Sequence, residues 1–166
     1  YVYSSRYTSE EAAFKVLRDY IGPALEGLSL RSIPMRVGYR PRSWHRNCVA
    51  IGLSQGFVEP LEATALMLTT AACRMVADCL PATRASMDAE AERYNVLMQH
   101  GWEQIVDFIK LHYCISDRDD TAFWRDNRRW DSLSPSLQRR LTVWRERTPN
   151  AYDFFGRYDV FHLENY

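Results

Sequence analysis

The sequence predicts an α+β fold that is predominantly helical, and three observations support this prediction. Hydrophobic residues make up 46% of the 166 residues, which is enough apolar material to bury one sizeable core. Apolar residues recur at helical spacing over most of the chain after about residue 60. Strand-like patterns are concentrated before that point. We therefore expect a β-rich part at residues 1–60 and a helical part at residues 61–166, with no internal repeat and no low-complexity linker.

The β-rich part contains one predicted helix and three predicted strands. Thr8 and Glu11 form a capping box in front of a helix, which ends at Gly22-Pro23. The predicted strands are the alternating stretch 1–3, the loosely alternating stretch 28–39, which Pro34 interrupts, and the short buried stretch Cys48–Ile51, which ends at Gly52.

The helical part contains three long predicted helices and one short one. Their predicted bounds are about Pro60 to Leu80, where Pro81 stops the helix, then Ser86 to Tyr113, a short helix within the polar loop 117–130, and Ser134 to Arg147. The second long helix carries an apolar face, which consists of Tyr94, Leu97, Met98, Trp102, Ile105, Val106 and Ile109. We expect this face to be core.

Composition and charge exclude several classes of function. The formal net charge is zero, so the protein has no overall electrostatic attraction to nucleic acid or to a membrane surface. The apolar run from Leu61 to Leu80 contains three charged residues, which favours a buried helix over a membrane span. Four cysteines without a CxxC pattern indicate reduced thiols in a cytoplasmic protein. His45 and Cys48 lack a second ligand pair, so we expect no metal site.

The predicted helix start at Pro60 has the features of an anion-binding corner. Proline at the first helical position loses no hydrogen bond, and the free amides of the following turn carry partial positive charge. Gly52 and Gly56 have no Cβ and therefore allow the backbone to approach a planar ligand closely. Glu59 and Glu62 are three residues apart, which predicts two carboxylates on one face of the helix.

Two dense motifs carry a resemblance to a known family. The first comprises Trp44, Asn47-Cys48, Ile51-Gly52-Leu53, Gly56-Phe57, Glu59-Pro60-Leu61-Glu62 and Thr64. The second comprises His112-Tyr113, Ser116, Arg118, Asp120 and Phe123-Trp124-Arg125. Both motifs, in this order, resemble those of the flavin-dependent tryptophan halogenases, and the resemblance weakens after about Asn150. It implies the C-terminal part of a flavin-monooxygenase-like, FAD-binding halogenase fold, in which residues 1–60 complete the flavin-domain sheet and residues 61–166 form the substrate side.

The resemblance also implies an activity and its partners. In this family, reduced FAD and oxygen convert a bound chloride or bromide into hypohalous acid, which passes through a short tunnel to an electron-rich aromatic substrate. A lysine positions that oxidant, and a glutamate assists at the substrate end. The resemblance therefore implies a flavoprotein oxidoreductase, a separate flavin reductase that supplies FADH2, an indole or tryptophan-like substrate and a homodimer.

Roles follow from the resemblance residue by residue. Glu62 would be the assisting catalytic carboxylate, and Phe161 and His162 would lie with it at the substrate. The amides of Thr64 and Ala65 would hold the halide. The flavin would be lined by Gly52, Leu53, Gly56, Pro60 and Leu66.

The sequence departs from the family pattern at several points. Ala63 and Ala65 replace the serine and glycine that are usual in tryptophan-specific members, and His162 follows Phe161 where a tryptophan is usual. The GxGxxG segment, the WxWxIP motif and a lysine in a matching context are absent. The chain opens on a strand-like stretch and closes without a polar tail. We expect a single continuous fragment of a larger enzyme, inactive alone, whose sheet is completed by other residues.

An alternative from another class is a non-catalytic helical interaction module. Arginines are dense between Arg118 and Arg147 and offer a partner-binding face. Acidic residues interrupt this stretch, which favours a solvated, salt-bridged surface over a nucleic-acid surface. An interaction module also has no reason to keep Gly52, Gly56 and the Glu59–Glu62 tetrapeptide together.

Overall fold

The structure, a computed structural model, describes residues 1–154 and 156–166, and 57% of it is helical. This confirms the predicted fold class. The α-helices in the described residues are α1 (Glu10–Ile21), α2 (Thr64–Asp78), α3 (Arg84–Cys114), α4 (Ala122–Arg128) and α5 (Pro135–Trp144). The two-residue strands are β1 (Gly38–Tyr39), β2 (Trp44–His45), β3 (Cys48–Val49) and β4 (Gly56–Phe57).

The strands form two small antiparallel ladders. β1 pairs with β4, so that Gly38 lies opposite Phe57, and β2 pairs with β3, so that Trp44 lies opposite Val49. Asn95 fixes the second ladder to α3, because its Oδ1 accepts from the Trp44 amide at 2.8 Å and its Nδ2 donates to the Trp44 carbonyl at 2.9 Å. The segment that leads into α2 follows directly after β4 of the first ladder.

Helix α3, which is 31 residues long, forms the spine of the core. Five residues of its predicted apolar face are buried, namely Tyr94, Met98, Trp102, Ile105 and Ile109. Leu97 is only half-buried, and Val106 lies outside the core with 38% of its surface exposed. Trp44, Leu68, Ala72 and Phe161 complete the main cluster from other segments. A smaller cluster, formed by Leu111, Leu133 and Leu137, joins α3 to α5.

Several predictions for the first sixty residues are wrong in detail. α1 is capped by Ser9, whose Oγ accepts from the Ala12 amide, and not by a box of Thr8 and Glu11. The stretch 1–3 is not a strand, and only Gly38–Tyr39 remains of the strand predicted at 28–39. A strand needs a hydrogen-bonding neighbour, and the described residues offer residues 28–37 none. Cys48–Ile51 pairs only at Cys48–Val49, and Cys48 is exposed where a buried residue was predicted.

The helix predicted from Pro60 begins four residues later. A 3₁₀ turn covers Leu61–Ala63, and α2 starts at Thr64. Glu62 and Ala63 have φ of 64° and 50°, so the backbone of both is left-handed and no α-helix can run through them. α2 ends at Asp78, two residues before the predicted end. Among the residues described, no helix combines the length and the apolar content that a bilayer crossing requires.

Candidate functional site

A pocket of ≈ 200 Å³ opens beside the start of α2. It is lined by Gly52, Leu53, Gln55, Gly56, Ala65, Leu66, Leu68, Thr69 and Trp102. Four predicted flavin-lining residues, Gly52, Leu53, Gly56 and Leu66, therefore meet one predicted halide-binding residue, Ala65, around a single cavity. Thr64, the other halide candidate, is buried at the first position of α2.

The wall at Gly56 is set by close packing. A Cβ at Gly56 would lie 2.6 Å from Cβ of Tyr39 and 2.9 Å from Cζ2 of Trp102. The rings of Tyr39 and Trp102 stack with centroids 5.6 Å apart and planes within 2°. Only glycine fits here, so β4 lies directly against α3 and the Trp102 ring lines the pocket.

The mouth of the pocket is apolar. Leu53 and Leu66 are each 80% exposed, although both are large hydrophobic side chains. Gly52, whose φ is 64°, is the first residue of the 3₁₀ turn that contains Leu53. Two exposed leucines at one cavity mouth form an apolar edge of the kind that binds a flat ring.

The first turn of α2 supplies the polar contribution. Ala63 precedes the helix and offers no capping side chain. The amides of Thr64 and Ala65 therefore lie in a first turn that no side chain caps, and they carry the partial positive charge of a helix N-terminus. Because the helix starts at Thr64 and not at Pro60, these two residues are its first and second positions.

Consecutive residues of helix α3 contact both carboxylates of the Glu59–Glu62 segment. The Tyr113 hydroxyl donates to Oε1 of Glu59 at 2.6 Å, and Nε2 of His112 lies 3.5 Å from Oε1 of Glu62. Burial, the hydrogen bond to Glu59 and the charge of that carboxylate raise the pKa of Tyr113. The prediction that Glu59 and Glu62 share one helix face is wrong, because Glu59 precedes the turn and Glu62 is left-handed within it.

The remaining predicted site residues lie away from the pocket lining. Pro60 precedes the 3₁₀ turn and does not line the cavity. Phe161 is buried in the core, where its ring stacks on Phe108 at a centroid distance of 3.9 Å. His162 is exposed, and its amide donates to Oδ1 of Asn165 at 2.9 Å. The substrate-binding role of Phe161 and His162 stays a prediction.

The segment that carries Phe161 is anchored to α3 by Asp159. Its Oδ1 lies 2.8 Å from Nε2 of His100 and accepts from Nε2 of Gln104 at 2.6 Å, while its Oδ2 accepts from the Gly156 amide. Burial alone would raise the pKa of Asp159, but these three hydrogen bonds outweigh it and the pKa is lowered. The charged carboxylate therefore stabilises the docking of this segment above the ordinary carboxyl pKa of 3.8.

Sequence reasoning missed four residues of the pocket: Gln55, Leu68, Thr69 and Trp102. Gln55 is one of two polar residues between Leu53 and Gly56, which are both in the first motif, and the structure buries it to 1% exposure. Trp102 was assigned to the core, which it also joins. Within the described part of the chain, Nε2 of Gln55 and Nε1 of Trp102 have no hydrogen-bond partner, and no cluster of three metal-ligating side chains occurs.

Comparison with known proteins defines the class. The chain matches the sequence profile described as tryptophan halogenase over residues 1–166, and it belongs to this family. The tryptophan halogenase of Shewanella frigidimarina NCIMB 400 superposes with a TM-score of 0.93 at 41% identity, over 99% of this chain and 32% of that one. Tar14, a tryptophan C-6 flavin-dependent halogenase (chlorinase) from taromycin biosynthesis, superposes with a TM-score of 0.85 at 36% identity, over 98% of this chain and 32% of that one.

A curated relative extends the comparison. The 7-chloro-L-tryptophan 6-halogenase KtzR of Kutzneria sp. (strain 744) is 35% identical over 158 residues, which cover 95% of this chain and 30% of the relative. The chain thus spans about 30% of the length of this relative. The resemblance that the two motifs predicted is confirmed.

Proposed function

We propose that this chain forms one wall of the flavin and halide site of a flavin-dependent halogenase. The complete enzyme, of which this chain would be the C-terminal part, would use reduced FAD, oxygen and chloride or bromide to halogenate an electron-rich aromatic compound such as an indole or a tryptophan-like substrate. The observation that carries the proposal is the pocket in which Gly52, Leu53, Gly56 and Leu66 meet the first turn of α2. Membership of the tryptophan halogenase family supports it.

The walls of the pocket suit one edge of a flavin. Gly56 brings backbone close to the cavity, and the exposed Leu53 and Leu66 offer apolar contact to a flat ring. A volume of ≈ 200 Å³ admits an edge of the ring, so the rest of the flavin would lie outside this wall. When bound, reduced FAD would supply, with oxygen, the oxidising equivalent that turns halide into hypohalous acid.

The halide would lie at the amides of Thr64 and Ala65. A small anion gains most from helix N-terminal donors when little water competes, and Thr64 is buried beside the apolar pocket. The Ala65 methyl group, absent from a glycine, narrows this corner. It would therefore disfavour the larger of two competing halides.

Glu62 would act on the substrate side. Its carboxylate lies 3.5 Å from Nε2 of His112 on α3, and it does not cap α2, which has no side-chain cap. A carboxylate here would orient the oxidant and stabilise the cationic ring that forms when the halogen adds. It would then take the proton that the ring carbon loses.

The complete enzyme would also depend on partners. A separate flavin reductase would supply FADH2, the complete enzyme would work in the cytoplasm as a homodimer, and Phe161 and His162 would lie on the substrate side. Neither nucleic acid nor a membrane is part of the proposal.

The ion pairs of the C-terminal half favour the enzyme over an arginine-rich interaction module. Nη2 of Arg118 lies 2.8 Å from Asp120, that of Arg129 lies 2.6 Å from Asp131, and that of Arg147 lies 2.6 Å from Asp153. These guanidinium groups are already paired with carboxylates of the chain itself, as on an ordinary solvated surface.

Substitution of Glu62 tests the proposal. In the complete enzyme, we expect Glu62→Gln to lower the halogenation rate roughly 10²- to 10⁴-fold, because the amide cannot take a proton. The dissociation constant for flavin should be unchanged, because Glu62 does not line the pocket. The rate is measured with a panel of indoles and phenols, in bromide and in chloride.

The matched control is Glu103→Gln, an exposed glutamate on α3, which should leave the rate unchanged. Unchanged turnover in Glu62→Gln would remove Glu62 from the mechanism. A wild-type enzyme that halogenates none of the panel in the presence of FADH2 and oxygen would count against the proposed function itself.

A further inference from the structure

The orientation of the His112 ring is fixed by two contacts within α3. Nδ1 lies 2.8 Å from the carbonyl oxygen of Phe108, which can only accept a hydrogen bond. Nδ1 therefore carries the hydrogen in the neutral ring. The ring also packs edge-on against Phe108, with centroids 4.7 Å apart and planes at 84°. Nε2 is consequently the nitrogen that faces Glu62.

The contact between His112 and Glu62 depends on a proton. In the neutral ring, Nε2 presents a lone pair, and the ionised Glu62 carboxylate can also only accept. At 3.5 Å, these two groups attract each other only when one proton lies on Nε2 or on the carboxyl group. The 3.5 Å distance thus places Nε2 of His112 and the Glu62 carboxylate where a single proton can join them.

The contact between His112 and Glu62 occurs at a strained part of the backbone. Glu62 and Ala63 are both left-handed, a conformation that non-glycine residues keep only where their surroundings hold them in place. Tyr113 binds Glu59 on one side of the turn, and His112 faces Glu62 within it. Consecutive residues of α3 therefore contact the two carboxylates of this segment, Tyr113 at Glu59 and His112 at Glu62.

Both members of the pair reach solvent. The side chain of His112 is 38% exposed and that of Glu62 is 44% exposed. Glu62 from the turn before α2 faces the ring, Tyr113 donates to Glu59 beside that turn, and Tyr166 packs on Phe108, which also contacts the ring. A proton that arrives at Glu62 thus has a route through Nε2 to water.

We propose that His112 is a positioning residue that holds Glu62 and exchanges a proton with it during the reaction. This inference rests on the proposed function. After the carbon–halogen bond has formed, the ring C–H bond breaks, and its electron pair restores the aromatic ring. The proton passes to the Glu62 carboxylate, from there to Nε2 of His112, and then to water, so that Glu62 is again ionised for the next turnover.

Two substitutions separate orientation from proton exchange. His112→Gln places an amide near the position of Nε2, where it can donate to Glu62, but it cannot take up a proton. His112→Asn keeps a donor near the position of Nδ1 for the Phe108 carbonyl and loses the contact with Glu62. The control is His45→Gln, which changes an exposed histidine on β2.

The readout is the pH profile of the halogenation rate in the complete enzyme. We expect both His112 variants to lower kcat roughly 10²-fold and to lose the pH-dependent limb that the wild type and His45→Gln share. Flavin affinity should be unchanged. Wild-type kcat and pH profile in His112→Gln would overturn the proposal, even if His112→Asn were slow, because orientation alone would then suffice. Such a result would leave the proposed function standing, whereas an inactive wild type would overturn that function instead.

A second measurement does not depend on how the variants fold. Nitrogen-15 NMR of the wild-type chain, at a pH where the ring is neutral, reports which nitrogen carries the hydrogen. The proposal expects hydrogen on Nδ1. A neutral ring with its hydrogen on Nε2 would overturn it, because Nε2 could then not accept a proton from Glu62.

Discussion

Glu62 and Ala63 are the residues at which the chain is most unusual. A left-handed backbone costs an L-residue with a Cβ roughly 1–2 kcal/mol, and here two such residues are adjacent. Strain of this kind is concentrated at functional sites, where surrounding contacts hold it. In this chain, His112 contacts Glu62 within the strained turn, and Tyr113 donates to Glu59 just before it. The proposed catalytic carboxylate lies within it.

Substitution of Ala63 measures this strain. Ala63→Gly removes a Cβ from a left-handed residue, and we expect it to raise the free energy of unfolding by about 0.5–1 kcal/mol after the greater chain entropy of glycine is subtracted. The matched control is Ala71→Gly in the interior of α2, where the same change should cost about 1 kcal/mol. Urea denaturation of both variants gives the comparison. Equal destabilisation of the two would show that the turn is not strained.

The sequence predicted which residues form the site better than it predicted their conformation. The family resemblance assigned roles to Gly52, Leu53, Gly56, Ala65 and Leu66, which do surround one pocket. It could not predict the left-handed turn, because leucine, glutamate and alanine all favour helix and the segment resembles a continuous helix from Pro60. The turn depends on contacts with α3 some fifty residues away.

Among the elements, α3 was the easiest to predict and also organises the site. Its apolar residues recur at helical spacing over a long stretch, so its existence and most of its buried face follow from sequence alone. The strand predicted at 28–39 illustrates the opposite case. Alternation indicates only that a segment is compatible with a sheet, whereas a strand forms only with a partner. The exposed Leu28, Ile33 and Val37 show how little of that segment is covered.

The close packing of β4 on α3 can be tested by substitution of Gly56. Gly56→Ala would place a Cβ within 3 Å of Tyr39 and Trp102, so we expect it to lower the free energy of unfolding by about 1–3 kcal/mol. The control is Gly101→Ala, where the nearest atom is the end of the flexible Leu68 side chain at 3.2 Å. Thermal unfolding of both variants tests the packing. A Gly56→Ala protein as stable as Gly101→Ala would contradict the close approach of β4 to α3.

At the scale of the whole molecule, the chain has a well-formed core and an exposed apolar edge beside its pocket. The core joins α2, α3, the β2 strand and the C-terminal segment into one cluster. Leu53 and Leu66 remain largely uncovered at the pocket mouth. Family and fold class were predictable because two motifs and helical periodicity are local in sequence. The contribution of Trp102 to the pocket was not predictable, because this residue joins the pocket from α3 through tertiary packing.

We propose above all that halide binds at the first turn of α2, against a flavin that rests on Leu53 and Leu66. Anomalous diffraction from crystals of the complete enzyme, grown with bromide and FAD, tests it most directly. We expect a bromide peak within hydrogen-bonding distance of the Thr64 and Ala65 amides, beside a flavin edge in the pocket. A bromide peak elsewhere with this corner empty, or a flavin that does not contact Leu53 and Leu66, would contradict the claim.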